Sequence, residues 1–454
     1  MAASSPVRVA VALPSAPESW HRVCVERIRA LDGVVVVDAP SESTDVIVDL
    51  AIGNWPRHLR LGVWQFRFGD GAPLAHGAPG TIARLYRLTP DPDRATVLQE
   101  GWFRAQTADA PGTRSVLDRV APWCARVLTQ IANGEDVASA PPQPTAGCAE
   151  VRPPSHAGGW RQEAAGAFER WVRREWWTVG VLPFGIAEIL ERGALPEPRW
   201  IAGQPDDRCY ADPFPLRHAG GRLDLMIEAY RRRGGPGSIV ELAVDADGGV
   251  VDSHARIAGG EHASYPFLLR RDGRILCVPE TARLGRISAY ACDPGDGAWR
   301  AERDLLTGFP AVDATLLEHG GRWWIFCTHR DEENQTELHL FSAPDWTGPW
   351  APHPLNPVKA DARSSRPAGA CFAIDGVTYR PAQDCSLRYG GAIAINRIVE
   401  LSERRFREEM VLTLRPSPES PWPDGMHTIN SLGDVTVVDG LRVEKRSGFF
   451  LQES

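Results

Sequence analysis

Short apolar runs, interrupted by turn residues, recur along most of the chain, and their period changes between its first and last thirds. Val7–Leu13 is a short apolar run, broken by Arg8 and closed by Pro14, which predicts a buried strand. Trp20, Cys24, Ile28 and Leu31 then recur at helical spacing, while Val34–Val37 and Val46–Leu50 predict two more strands. Val116, Leu117, Val120, Trp123, Cys124, Val127, Leu128 and Ile131 predict a second amphipathic helix, kinked at Pro122. Together these elements predict an α/β domain over residues 1–135. Pro-Ser-Ala-Pro-Glu follows Leu13 in place of G-x-G-x-x-G, so no dinucleotide cofactor is expected.

Residues 136–160 carry Pro141, Pro142, Pro144, Pro153 and Pro154 among Ala, Gly and Ser, the composition of a linker. Over 161–199, Phe168, Trp171, Trp176, Ile186, Ile189 and Leu190 predict a Trp-rich helical connector. From 200 to 454 one pattern returns five times: apolar strand, Gly-bearing turn, apolar strand. The copies are PFPLRHAGGRLDLMIEA, PFLLRRDGRILCVPET, ATLLEHGGRWWIFCT, ACFAIDGVTYRPAQD and DVTVVDGLRVEKR, with turns at Gly220, Gly273, Gly320, Gly376 and Gly440. Asp-Gly and Gly-Gly between strands signal hairpins, and a period of roughly 50 residues with about four strands each is that of propeller blades. The fold class is therefore an α/β domain followed by an all-β five-bladed propeller.

Composition narrows the partners. The chain has 454 residues, 43% of them hydrophobic, and a formal net charge of −8, which argues against nucleic acid or an anionic membrane surface. No window approaches the 18 or so consecutive apolar residues of a membrane span, and the first residues lack a basic flank and an apolar stretch of signal length. Nine cysteines stand singly without a C-x-x-C pair, which points away from disulfides and zinc and towards the cytoplasm. A small sugar-like or polyol substrate is the expected partner. The N-terminal domain is expected to serve self-association or a protein partner.

Counting from the hairpin turns places acidic residues at matching strand ends. Asp212 lies eight before the first turn and Glu228 eight after it. Tyr265 and Glu280 hold these places in the second hairpin, Asp313 in the third, and Arg366 and Asp384 in the fourth. Carboxyls converging at one channel mouth suit acid–base chemistry: one stays ionised, while a neighbour, raised by burial and like charge, donates a proton. Asp212, Glu228, Glu280 and Asp313 are therefore the catalytic candidates, with Asp212 ionised and Glu280 the more protonated. Tyr265, Lys359, Arg366, Arg380, Asp384 and His427 are the substrate-binding candidates, with Arg366 and Arg380 expected to hold Asp212 low in pKa or to grip an anionic group. His262, His353 and His427 lack tight metal spacing, so no metal is expected. Neither a P-loop nor a G-x-S-x-G elbow is present.

YADPF, SYPFLL, PET, VDATLLEHGGRWWIF, LNPVKADARSSRPAG, YRPAQDCSLRYGGAIAINRI and GMHT resemble a bacterial family related to the N-terminal domain of plant glucosamine inositolphosphorylceramide transferase, over about Trp176–Val443. The resemblance implies a relation to the five-bladed arabinanase, xylosidase and invertase type of glycoside hydrolase. In those enzymes an acid in an Asp-Pro motif is base or nucleophile, which Asp212-Pro213 matches. Tyr265 stands where a second-blade Asp is expected, and Glu280 is the nearest counterpart of the general acid. The transferase domain of the plant protein lies outside the resemblance. LGVWQFRFGDGAP and PDRATVLQEGWF resemble a formyltransferase N-terminal domain, which implies a Rossmann-type fold. Trp64 and Phe66 replace its Asn and His and only Asp93 remains, so a degenerate, non-catalytic domain is implied. These features imply an enzyme acting on a sugar-like or polyol conjugate, by glycosyl hydrolysis or transfer or by a repurposed cyclisation or elimination in secondary metabolism; the alternative is a non-catalytic carbohydrate-binding or scaffold protein.

Overall fold

A computed structural model describes residues 6–445, apart from 54, 56–58, 72–79, 92, 105–115, 138–140, 145–172 and short segments at 218–221, 233, 246–247, 258–260, 272, 294–296 and 332–333. Most of the expected linker, the start of the connector and Gly220 fall outside the described residues. The chain forms two compact units, residues 1–157 with 360–362 and residues 158–359 with 363–454.

The first unit holds a seven-stranded sheet built from β1 (Val7–Ala12), β2 (Val34–Val37), β3 (Val46–Asp49), β4 (Gly62–Gly71), β5 (Gly80–Leu88), β6 (Arg94–Arg104) and β7 (Gln143–Pro144), in the order β2-β1-β3-β4-β5-β6-β7. This corrects the Rossmann-type expectation. The β2-β1-β3-β4 half is parallel, but β4 to β7 run antiparallel, and β4, β5 and β6 pair in chain order. The described residues of this unit are mostly strand, with helices α1 (Ser19–Arg29), α2 (Val116–Val120) and α3 (Trp123–Ala132). The single helix read over 116–131 is two, because Pro122 cannot supply a helical N–H and sits at the N-cap of α3. Trp64 and Phe66 are buried in the core with Trp123 and Phe103, whereas Asp93 lies in an exposed turn.

The second unit is a five-bladed propeller. Blades 1 to 3 begin with inner strands Arg208–Arg217, Ser264–Arg271 and Ala311–His319, paired with second strands Leu223–Arg231, Arg274–Glu280 and Arg322–His329. Blade 4 begins with Phe372–Ile374 and Val377–Asp384. In blade 1 the first strand is almost wholly buried and the fourth, Val250–Ile257, mostly exposed, so the first lines the channel. Blade 5 is composite: Ile429–Leu432 and Val435–Lys445 are joined by Arg173–Leu182 and Arg199–Trp200 from the other end of the unit. That closure corrects the helical connector. Among the described residues of that stretch, 173–182, including Trp176 and Trp177, form a strand, and Ile186–Arg192 is helical. Trp-Trp-Thr-Val-Gly-Val is rich in strand formers, and its partner lies more than 250 residues away, out of reach of a local period.

The fifth turn also differs from its expected place. The hairpin turns at Gly433, with φ +63°, between paired Leu432 and Val435. Gly440 lies inside the strand Val435–Lys445, where a Cβ would come within 2.5 Å of the Trp200 ring. Gly440→Ala should therefore destabilise the propeller by about 1–3 kcal/mol, as overpacking does, read as a lower denaturation midpoint with an unchanged slope.

Candidate functional site

Among the described residues, three of the five non-glycines with positive φ are Asp212 (+51°), Tyr265 (+44°) and Asp313 (+53°). They occupy the same place on the inner strands of blades 1, 2 and 3, each at a register break: Ala211/Phe214, Ser264/Phe267 and Val312/Thr315. A bulge in left-handed conformation costs roughly 1–3 kcal/mol at a non-glycine residue and concentrates at functional sites. Here it frees an amide from the ladder and aims it at a carboxylate of the preceding blade. Asp212 N–H donates to Asp439 Oδ2 of blade 5 at 3.2 Å, and Tyr265 N–H to Asp212 Oδ2 at 3.1 Å. Asp313 N–H donates to Glu280 Oε2 at 3.3 Å. The backbone strain thus holds three acids, Asp439, Asp212 and Glu280, around one channel end.

Asp212 also accepts the Thr428 hydroxyl at 2.7 Å and lies 3.5 Å from His427 Nδ1. His427 Nδ1 donates to Asp439 at 2.6 Å, and its ring stacks on Trp177 with centroids 4.1 Å apart. Burial pushes Asp212 up to about 6, with His427 and Thr428 opposing and Asp313 and Asp439 adding like charge. For His427 burial works against the charged form, but Asp439 outweighs it and the imidazolium is favoured. Asp212, His427 and Asp439 each offer a donor atom within 4.8 Å of the others, a set that could hold a cation once His427 Nδ1 gave up its proton. Sequence spacing alone did not bring these three together.

Glu228 and Glu280 complete the acid cluster. Burial raises Glu228 well above the ordinary carboxylate range, and Asp212, Glu280 and Asp313 raise it further. Burial likewise raises Glu280, helped by Asp313. Arg366 Nε donates to Asp313 Oδ2 at 2.6 Å, and Gln383 Nε2 to the same oxygen at 3.0 Å. The expectation that Arg366 and Arg380 lower Asp212 is corrected: Arg366 pairs with Asp313, Arg380 pairs with Glu408, and Asp212 is raised.

Other candidates stand apart from the cluster or are already engaged. Arg380 and Lys359 both close on Glu408, at 2.6 and 2.8 Å. Asp384 accepts the backbone N–H and hydroxyl of Ser386 and faces Arg415 at 3.3 Å. The Tyr265 hydroxyl is fully buried, accepting the Gly369 N–H at 2.7 Å and sharing a proton with Thr315 at 2.7 Å. Asp439 and Tyr389, like Thr428 and Gln383, were absent from the sequence candidates and belong to the site. Asp439 accepts the amides of Asp212, His427 and Thr428. Tyr389 lies under the Arg366 guanidinium, 4.9 Å from ring centroid to Cζ, and 5.3 Å from His427.

Residues 207–420 match the family model described as Glucosamine inositolphosphorylceramide transferase 1, N-terminal. The match lies within the propeller. The transferase 1 of Oryza sativa subsp. japonica is 31% identical over 250 residues, and that of Arabidopsis thaliana 32% identical over 259. Each alignment covers 51% of this chain and 33% of the relative, so the chain spans about a third of the length of the curated relatives it matches. Among solved structures, an exo-beta-1,3-galactanase from Clostridium thermocellum superposes with TM-score 0.37 at 10% identity, over 46% of this chain and 51% of that one. A family 117 glycoside hydrolase from Zobellia galactanivorans gives 0.38 at 12%, over 59% and 90%. Among the described residues no helix is long and apolar enough to cross a membrane.

Proposed function

We propose that the propeller mouth is a carbohydrate-processing site in which Asp212 is the base or nucleophile and Glu280 the acid. The observation that carries this reading is geometric: Asp212 and Glu280 each accept an amide that a bulge on the next blade turns towards the same channel end. Asp212, near 6, is mostly ionised at neutral pH, while burial and the charge of Asp313 push Glu280 well above its ordinary range and favour its protonated form. Glu280 then gives its proton to the oxygen of the bond that breaks. Asp212 either takes the proton of the incoming water or sugar hydroxyl, or attacks the sugar carbon itself. Arg366 fixes Asp313 beside Glu280, and His427 balances Asp439 behind Asp212. The relatives are named for transfer involving glucosamine and an inositolphosphoryl lipid; for this chain the shared class is sugar transfer or hydrolysis. The first unit, with Trp64 and Phe66 in its core, is a supporting or partner-docking domain in this reading. Eight described cysteines are free thiols, which favours a reducing compartment such as the cytoplasm.

A panel of 4-nitrophenyl glycosides, assayed alone for hydrolysis and with sugar acceptors for transfer, tests the proposal. Glu280→Gln should lower kcat by at least about tenfold on glycosides with poor leaving groups and much less on activated aryl glycosides, because only the former need the proton. An equal effect on both removes Glu280 as the acid. Sugar binding without turnover of any substrate leaves the scaffold reading, which the engaged Tyr265 hydroxyl favours.

A further inference from the structure

The first unit carries a cavity that the propeller chemistry does not use. β1 is flanked by β2 on one side and β3 on the other, both parallel to it, so successive strands are added first to one side of β1 and then to the other. In open α/β sheets such a switch point opens a crevice beyond the carboxyl ends of the strands. Pro14 follows β1, Asp49 ends β3, and both line a cavity of about 140 Å³ together with residues 50–52. Trp20 and His21 of α1, and Gln65 and Phe66 of β4, complete much of its wall.

Gln65 shows what the cavity lacks. The residue is 3% exposed, and its Nε2 donates to Asp49 Oδ2 at 3.0 Å. A carboxylate that only accepts fixes the amide that way round. Gln65 Oε1 is then buried with no hydrogen-bond partner among the described residues. An unmatched buried acceptor is costly, and an N–H brought by a ligand would satisfy it. Asp49 is held in turn by the amides of Ala51 at 3.2 Å and Gly53 at 3.1 Å. These bonds pin a turn in which Ile52 takes φ +57°, a conformation that β-branched residues rarely adopt. Ile52 is left exposed at the cavity, as is Leu13 next to Pro14, so the mouth has an apolar rim.

Charge decides the ligand class. Among the described residues the charged lining groups are Glu18 and Asp49, with no lysine or arginine. Arg67 feels the charge of Asp49 but does not line the cavity. Glu18 sits at the N-cap of α1, so that helix end already has its negative charge and calls for no anion. Its N–H donates to His21 Nδ1 at 2.9 Å, which removes that nitrogen as a ligand acceptor. Trp20 and Phe66 pack edge to face, 5.9 Å between centroids, and give the wall aromatic character. We propose that this cavity binds a small organic ammonium ion, its apolar body against Trp20 and Phe66, its N–H donating to Gln65 Oε1 and its charge facing Asp49 and Glu18. An apolar cavity of roughly 150 Å³ holds benzene, which sets the size of that body. An anion would meet two carboxylates here, and a neutral donor would satisfy Gln65 but neither charge.

Calorimetric titration of the whole chain at neutral pH with benzylamine, benzyl alcohol and benzoate, which share a ring and differ in charge, tests this. Benzylamine should bind at one site, at least about tenfold tighter than benzyl alcohol, with benzoate the weakest of the three. Gln65→Met keeps the length of the side chain and removes the acceptor. It should lower benzylamine affinity at least about tenfold, and by more than it lowers that of benzyl alcohol. Ala51→Trp fills the cavity from an exposed position and should block both ligands, which tests the location even if Gln65→Met folds poorly. Equal affinity for amine and alcohol, or tighter binding of benzoate, overturns the ammonium class. Benzylamine affinity that survives Ala51→Trp, or that a folded Gln65→Met leaves unchanged, overturns the site. No binding of benzylamine at millimolar concentration overturns the inference outright. None of these outcomes bears on the carbohydrate reading of the propeller mouth.

Discussion

Asp212→Asn should cut turnover at least about a hundredfold while substrate affinity is largely kept, because it preserves shape and removes the charge that acts only in the reacting complex. The wild-type rate should fall as pH drops through about 6, where Asp212 takes up its proton. Stability gives an independent readout. The carboxyl goes from 3.8 to about 6 on folding, so the folded chain holds that proton more tightly. Its contribution therefore turns unfavourable as pH rises from 3.8 to 6 and stays so above. The variant has no such titration, so its melting temperature relative to wild type should climb across that window. Near wild-type turnover, or a constant difference in melting temperature, would remove Asp212 from the role of base or nucleophile.

How much the sequence discloses depends on which contacts are local. Counting from hairpin turns puts Asp212, Tyr265 and Asp313 at equivalent positions, because a strand–turn–strand unit has fixed spacing and its partner is the next strand. The bulges that turn these residues left-handed leave no such mark: Asp tolerates that conformation but takes it at few positions, and Tyr has no preference for it. Asp439 was hidden for a related reason. Val-Val-Asp-Gly reads as strand and turn, but Gly440 serves the close approach of Trp200 within a continuous strand. Partners across blades are less legible still. Arg366 meets Asp313 from 53 residues away, and Thr428 meets Asp212 from 216. A basic residue near an acidic cluster in sequence therefore carries little information about which acid it serves.

Arg380 shows what that distinction is worth. Its guanidinium is fully buried and bidentate on Glu408, at 2.8 and 2.6 Å, and also donates to the carbonyls of Ser364 and Ser365. Lys359 adds a second cation on the same carboxylate. Arg380→Met would leave Glu408 buried with only the half-buried Lys359 opposite, and breaking a buried pair from one side costs about 3–5 kcal/mol. A lowered denaturation midpoint for the propeller is expected, with sugar affinity of the folded fraction unchanged. The pH dependence comes from Glu408, which burial pushes up but Arg380 and Lys359 pull down to about 2, from an ordinary 4.5. A depressed carboxyl stabilises the fold above its unfolded value and loses that contribution as pH falls towards the folded one. The gap between wild type and Arg380→Met should therefore be full at pH 7 and shrink between 4.5 and 2. Adding Glu408→Leu should recover part of the loss, since the fully buried charge is then gone and only the half-buried Lys359 lacks its acid partner. If Arg380→Met keeps its midpoint but weakens sugar binding, the residue belongs to the binding surface and the ion pair is incidental.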